Sequence, residues 1–458
     1  MVRREMKSLN LIIAMLDSLR QDHVSYYNKG TRVFENVPVC ETPNLDRFAA
    51  ESVVFSNAYP SGLPTIPVRT ELMTGQFTLP YKPWSPMYPT EITIAETLGR
   101  EGYVSGMVTD TYHLFKPGMN FHKGFDSFNW IRGQEYDAYN SAPPAKKKTE
   151  DYVDERFDNR WRRLVDRFNA NTEDFRAEED WFSARVFNTA AEWLRRNSFH
   201  EKIFLWVDSF DPHEPWDPPA AYDRYTSKGY RGLRIILPMG GKASDWATSE
   251  EMDFIRGLYA GEVSFVDHCF GEFYAAVKES GLLESSVIVV LADHGHPLAD
   301  HGKFLKGGDR LYNELLKVPF MVRLPGGESA RDTGALVQFP DLAPTLLEVV
   351  GMGNDTYSMH GKSFLPVLTG ADTHRKFAIS GYYEAPDRCV RDGSWSYVQR
   401  PEGQPDELYD LENDPKELHN LVDERPDVAK GLASAFGSYF RREGRGHVKG
   451  LQGKYELS

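Results

Sequence analysis

The chain has 458 residues, of which 41% are hydrophobic and 13% aromatic, enough for one large α/β core and a smaller satellite domain. A formal net charge of −14 argues against a protein that grips a nucleic-acid backbone and suits one that captures small anions at a local site. Cys40, Cys269 and Cys389 stand far apart with no CxxC pair, which excludes a disulfide framework or zinc knuckle and fits a reducing, cytoplasmic compartment.

At the N-terminus basic residues precede the apolar run "LNLIIAML" (9–16). The run contains Asn10, ends at Asp17 and lacks a small-residue cleavage site, so it reads as a first buried strand rather than a targeting segment. "TPNLDRFAAESVVF" reads as a helix with Thr42 as cap, Pro43 at the first position, and Leu45, Phe48 and Ala49 on one face. In "SGLPTIPVRTELMTG" (61–75), Pro67 at a first helical position and Gly75 past the end predict a short helix. Thr65 then stands immediately before that helix, where free N–H groups favour negative charge. Whether it is a cap or a nucleophile is open from this segment alone.

"GYVSGMVTD", "KIFLWVDSF", "SSVIVVLADHG" and "VPFMVRLP" join the first run as interior strands of a largely parallel sheet. "FIRGLYAGEVSFVDHCFGEFYAAVKESG" places Ile255, Leu258, Val266, Phe270, Phe273 and Val277 at helical spacing. Residues 132–180 are highly charged and read as a helical, solvated insertion, with a lid or subunit contact as the alternative. After about residue 375 the composition shifts to short β-like pieces and a closing helix. The expected organisation is therefore an α/β catalytic domain over 1–374, carrying the 132–180 insertion, and a small α+β subdomain over 375–458. No stretch approaches the ~20 apolar residues that cross a bilayer, so no membrane partner is predicted. Self-association is left open.

In α/β sheets chemistry gathers beyond the carboxyl ends of strands. Asp17, Thr109 and Asp110, Asp208 to Asp211, and Asp293 with His294 sit at such ends. Carboxylates converging on one edge call for a cation. An oxygen and an imidazole nitrogen at one strand exit suit Mn²⁺ or Zn²⁺ better than Mg²⁺ alone. Asp17, Asp293 and His294 can supply three ligands from separate strands, leaving a position that the Thr65 oxygen could fill.

Six segments in order, "LIIAMLDSLRQDH", "TPNLDRFAAESVVFSNAYPSGLPTIPVRTELMTG", "GYVSGMVTDTYHLF", "FLWVDSFDPHEPWDPP", "VIVVLADHGHPLADHGKFLKGG" and "ELYDLENDPKELHNL", resemble the sulfatase branch of the alkaline phosphatase superfamily nearly end to end. The resemblance implies an alkaline-phosphatase-like layered fold. It implies one divalent ion, foremost Mn²⁺ or Zn²⁺ with Ca²⁺ and Mg²⁺ as further candidates, on Asp17, Asp293 and His294, with Thr65 as a nucleophile that also touches the metal. It makes Arg69 the arginine holding nucleophile and transferred group. Lys306 and His213 become contacts to the substrate anion or the leaving group, and His113 the histidine of a Lys-x-His element whose lysine is here Thr111.

Two departures bear on substrate. Sulfatases of the family carry Cys or Ser at the nucleophile position, oxidised to formylglycine; the β-methyl of Thr65 rules that conversion out. The second aspartate usual on the first strand is Ser18, as in the phosphonate monoester and phosphodiester hydrolases of the same branch. The expectation is a hydrolase of small anionic phosphate or phosphonate esters, with sulfate-ester hydrolysis, phosphoryl transfer to an alcohol, and an inactive anion-binding protein as alternatives. His301 is read as either a neighbour of the metal ligands or a turn cap, His296 as solvent-facing, and Trp216, Tyr112 and Phe115 as packing or pocket-lining rings.

Overall fold

The run 10–16 becomes the middle strand of the molecule. In the computed structural model, which describes residues 8–327, 330–356 and 358–443, thirteen strands are formed: β1 Asn10–Leu16, β2 Val53–Tyr59, β3 Gly62–Leu63, β4 Val104–Thr109, β5 Ser127–Trp130, β6 Ile203–Ser209, β7 Ser286–Leu291, β8 Phe320–Arg323, β9 Arg331–Gln338, β10 Ala378–Tyr382, β11 Arg388–Arg391, β12 Trp395–Gln399 and β13 Glu407–Asp410. Eight form the large sheet in the order β5-β4-β6-β1-β7-β8-β2-β9. β1, β6 and β7 are buried along their whole length, as expected for strands covered by helices on both faces. The one polar side chain at the start of β1 is satisfied: Asn10 donates to Ser285 and accepts from the Ile203 amide.

The sheet is parallel except at "VPFMVRLP", where β8 runs antiparallel to both β7 and β2. An apolar run read from sequence carries no direction, and the reading of a largely parallel sheet leaves room for one reversed strand. β2 was also hidden: the helix starting at Pro43 stops at Ala49, and "SVVF" continues into the strand. Thr42 holds the N-cap position, but its hydroxyl makes no capping bond; it bonds instead with Ser25 and Asp46. The long helix spans Ser249–Glu279 and is opened by a capping box between Thr248 and Glu251.

The 132–180 segment departs from its sequence reading. α-Helix is confined to Asn159–Thr172, with one 3₁₀ turn, Thr149–Asp151, in the charged run before it and another, Glu178–Asp180, after it. Nor is the segment merely solvated, since Gln134, Glu135 and Asp137 are buried beside the strand ends and Val165 and Phe168 pack into the core. β10 to β13 form an antiparallel sheet with the helix Pro426–Glu443 following. β3 pairs in parallel with β10, so the small sheet holds the chain just before Thr65. Among the described residues no helix is long and apolar enough to cross a membrane.

Candidate active site

The Thr65 segment is fixed from below by one buried carboxylate. Glu71 accepts from the amides of Ser61, Gly62 and Thr78 and from the Thr78 hydroxyl. Burial pushes its pKa up to about 7. Gly62 is required there, because a β-carbon would stand 2.0 Å from Thr78 Oγ1. The helix runs from Thr65 to Thr74 and is buried at every position, ending at Gly75 in the left-handed region. Thr65 is therefore the first helical residue rather than the one before it, and Pro67 lies two residues further in. Pro64 precedes the helix and supplies no side-chain cap, so the Thr65 hydroxyl is not engaged in capping. It lies 3.5 Å from His294 Nε2.

One turn on, Arg69 is fully buried among three carboxylates. It pairs with Asp208 through Nε and Nη2 at 2.9 and 2.7 Å. Nη1 donates to Asp293 Oδ2 at 2.7 Å and Nη2 stands 2.9 Å from Asp17 Oδ2. The three acids come from the exits of β1, β6 and β7, where parallel strands bring their ends to one edge. Three acids around one guanidinium leave carboxylate in excess, which a divalent cation would balance.

The donor set fits such an ion. Asp17, Asp293 and His294 each offer an atom within 4.8 Å of the others, and all three are buried. Although Arg69 is near Asp17 Oδ2, its N–H groups are not aimed at that oxygen, which has no hydrogen-bond donor. His294 Nδ1 is 2.8 Å from the Gly295 carbonyl. A carbonyl can only accept, so this bond places the proton on Nδ1 and leaves the Nε2 lone pair facing Thr65 and Asp293. Gly295 permits that turn, since a β-carbon would meet the Glu314 carbonyl at 2.1 Å. Burial holds the His294 pKa down at about 4, so the ring is neutral and able to ligate near neutral pH. Burial and the adjacent Asp293 raise the carboxyl of Asp17. Burial works on Asp293 in the same sense, but His294 and Arg69 outweigh it and hold that carboxyl below its usual range. Ser18 joins the two acids: its hydroxyl donates to Asp17 Oδ1 and its amide to Asp293 Oδ1.

Across from this cluster Lys306 Nζ is 2.8 Å from His213 Nε2 and 3.2 Å from Glu214 Oε2. His213 Nδ1 faces the Glu214 carbonyl at 2.7 Å, which again requires Nδ1–H and leaves Nε2 to accept from the lysine. Burial, then the Lys306 charge, drives the His213 pKa well below the usual histidine range. Thr111, in place of a lysine, donates to Asp208 and leaves Arg69 as the cation at this position. His113 is buried with Nε2 3.1 Å from Glu135 Oε2.

Sequence reasoning missed three features. Asp208 was noted at a strand end, but its pairing with Arg69 needs the fold. His296 was expected in solvent; it is fully buried against Trp216 and Tyr259. His301 is neither beside the metal ligands nor a turn cap: Nδ1 meets Glu314 at 2.7 Å and the ring stacks on Tyr312. Trp216 and Tyr112 are buried, while Phe115 stacks with Phe128 and Trp130.

Comparison with known proteins covers nearly all of the chain. The family model "Sulfatase" matches residues 9–352, and the model "N-sulphoglucosamine sulphohydrolase, C-terminal" matches residues 299–435. An arylsulfatase of Clostridium perfringens is 26% identical in an alignment that covers 90% of this chain and 90% of its own. The multifunctional alkaline phosphatase superfamily protein PehA of Trinickia caryophylli is 22% identical over 90% of this chain and 91% of its own. The crystal structure of the phosphonate monoester hydrolase of Agrobacterium radiobacter superposes with a TM-score of 0.71 at 20% identity, covering 95% of this chain and 96% of the other.

Proposed function

The chain belongs to the sulfatase family of ester hydrolases, and from that premise we propose that it hydrolyses phosphate mono- or diesters or phosphonate esters with Thr65 as nucleophile. The observation that carries this reading is the identity and placement of residue 65. It is a buried threonine at the N-terminal end of a helix, with its hydroxyl uncommitted to capping and 3.5 Å from His294 Nε2. The β-methyl group forbids formylglycine, so the side chain can attack only through its own oxygen.

Asp17, Asp293, His294 and Thr65 would hold a divalent ion, Mn²⁺ or Zn²⁺ by the mixed carboxylate and imidazole donors. Such an ion supplies Lewis acidity that favours the Thr65 alkoxide and draws charge from the non-bridging oxygens. Thr65 Oγ forms a bond to phosphorus as the bond to the ester oxygen breaks. The departing alkoxide takes a proton from the Lys306–His213 pair, which recovers one from solvent in exchange for the proton that Thr65 releases on attack. Arg69 stays fixed by its carboxylates and faces the charge on the transferred group. Water then cleaves the phospho-threonine, returning the hydroxyl and releasing the acid. The sum is ester plus water to alcohol plus acid.

A second reading, sulfate-ester hydrolysis, is favoured by the arylsulfatase relative, which matches over 90% of the chain. Comparing kcat/KM for matched 4-nitrophenyl phosphate, phosphodiester, phosphonate and sulfate esters with Mn²⁺ or Zn²⁺ separates the two. Phosphorus esters should be cleaved far better; a preference for the sulfate ester would replace the first reading by the second.

A further inference from the structure

A second group of buried polar atoms lies one ring away from His213. Phe210 stacks on His213 with centroids 4.0 Å apart, and the same ring contacts His113 at 5.8 Å and Tyr112 at 6.5 Å. Glu135, from the charged insertion, meets this group, and Trp84 and Tyr136 flank it at 5.0 and 6.5 Å from His113. From these observations, and resting on the reaction just described, we propose that Glu135 with the rings of Tyr112, Tyr136 and Trp84 forms a leaving-group subsite for an alcohol that carries an ammonium group.

The loop bearing Glu135 is braced on both sides. Gln134 Nε2 donates to Asp110 and Asp211 at 3.2 and 2.6 Å. Asn171 Nδ2 donates to the carbonyls of Gly133 and Asp137, and Arg132 pairs with Asp137. Between these supports the backbone of residue 135 is left-handed, with φ of 52°, a conformation uncommon for a residue other than Gly, Asn or Asp. Glu135 is nonetheless only 5% exposed. A charged side chain held in this way, beside a site for anions, needs a purpose beyond solubility.

Among the described residues no lysine or arginine forms an ion pair with Glu135, and its close neighbour is His113 Nε2 at 3.1 Å. Glu135 Oε2 and Tyr112 Oη are buried and form no hydrogen bond. His113 is the nearest basic group, but burial lowers its pKa, so the ring does not balance the carboxylate near neutral pH. The aromatic faces beside Glu135 already accept a cation. Lys116, itself exposed, places Nζ 4.6 Å from the Tyr112 ring centre and 6.0 Å from that of Tyr136. Among the described residues it makes no ion pair with Glu135. A buried carboxylate with no paired cation, next to electron-rich rings, is the chemistry that recognises an ammonium ion. The same carboxylate would repel a leaving group with a second acidic function.

The test uses 2-aminoethyl, 2-hydroxyethyl, propyl and 4-nitrophenyl esters of whichever acid the enzyme cleaves. The wild type should prefer the 2-aminoethyl over the propyl ester by about 10-fold or more in kcat/KM, and Glu135→Gln should remove that preference mainly through KM. In the same variant the 2-aminoethyl ester should lose several-fold more kcat/KM than the 4-nitrophenyl ester. Equal losses on all four esters, or a wild-type preference for the 2-hydroxyethyl ester, would overturn the proposal. Ethanolamine alone should raise the Tm of the wild type and not of Glu135→Gln, which reads the subsite without turnover. Failure to cleave any phosphorus ester counts against the proposed reaction; an ethanolamine shift equal in both proteins, or absent from both, counts against the subsite.

Discussion

Arg69 and Asp208 form a two-point ion pair with both side chains completely buried, Nε to Oδ2 at 2.9 Å and Nη2 to Oδ1 at 2.7 Å. This contact fixes the plane of the guanidinium, so that Nη1 is left to reach Asp293 and the Thr65 carbonyl. Asp208 is thus a positioning residue. Asp208→Ala should reduce stability by about 3–5 kcal/mol, the usual result of removing one partner from a buried pair. It should also lower kcat more than it raises KM. Urea unfolding with steady-state kinetics checks both, and a variant as stable as the wild type would mean that Asp17 and Asp293 suffice to hold Arg69.

The metal-ligand cluster makes a graded prediction. Asp293→Asn replaces a ligand oxygen by an amide and should weaken Mn²⁺ or Zn²⁺ affinity by more than the ~10–100-fold typical of losing a ligand's supporting partner. Ser18→Ala removes one supporting bond, the one to Asp17 Oδ1, and should fall inside that range. Dialysis against chelator, followed by metal titration and elemental analysis, gives the order. Equal affinities in the three proteins would place the ion elsewhere.

Lys306 and His213 act as a unit, since the buried imidazole accepts from the lysine through Nε2. Lys306→Ala should lower kcat by ~10²–10³, the scale found when a donor to developing charge is removed, with little change in Tm. His213→Gln, which keeps an acceptor for the lysine, should lose less than His213→Ala. Loss of stability with the rate preserved would make the pair structural.

His301 gives a pH dependence. Burial alone would lower its pKa, but Glu314 and the Glu417 carbonyl outweigh it and bring the value up to about 9, from 6.5 for a free histidine. A group whose pKa is raised on folding contributes stability fully below its unfolded value and loses it as pH rises through the folded one. The Tm advantage of the wild type over His301→Gln should therefore be constant below about pH 6 and shrink between about pH 6.5 and 9. An advantage that grows with pH would show that the histidine is neutral in the folded protein.

The sequence was most legible where ligand-type residues adjoin a strand. "LIIAMLD" and "VIVVLADHG" each state a buried strand with ligand-type residues at its exit; both strands form, and Asp17, Asp293 and His294 lie together beyond them. Periodicity likewise gave the buried face of the long helix. It could not give the direction of β8, because a fully buried strand is apolar whichever way it runs. Nor could it give the partners of Asp208 or the burial of His296, which depend on segments about 140 and 80 residues away. Glu135 was lost among the charges of the insertion, where only the fold separates one buried acid from its solvated neighbours.

Thr65 carries the last prediction, that it is covalently phosphorylated during turnover. Pro64, not Thr65, holds the capping position, and the Thr65 hydroxyl faces His294 Nε2 at 3.5 Å instead. The open N-terminus of a ten-residue helix favours an anion there, and Arg69 reaches back to the Thr65 carbonyl at 3.3 Å. Thr65→Ala should eliminate turnover yet keep the metal, because Asp17, Asp293 and His294 remain. Thr65→Ser should retain part of the activity, since it keeps the oxygen and loses only the methyl group. Acid quench during turnover, followed by peptide mass spectrometry, should place a phosphate on the peptide containing residue 65 in the wild type and in Thr65→Ser. Substantial turnover by Thr65→Ala would assign the attack to water and leave Thr65 a first helical residue with no covalent role.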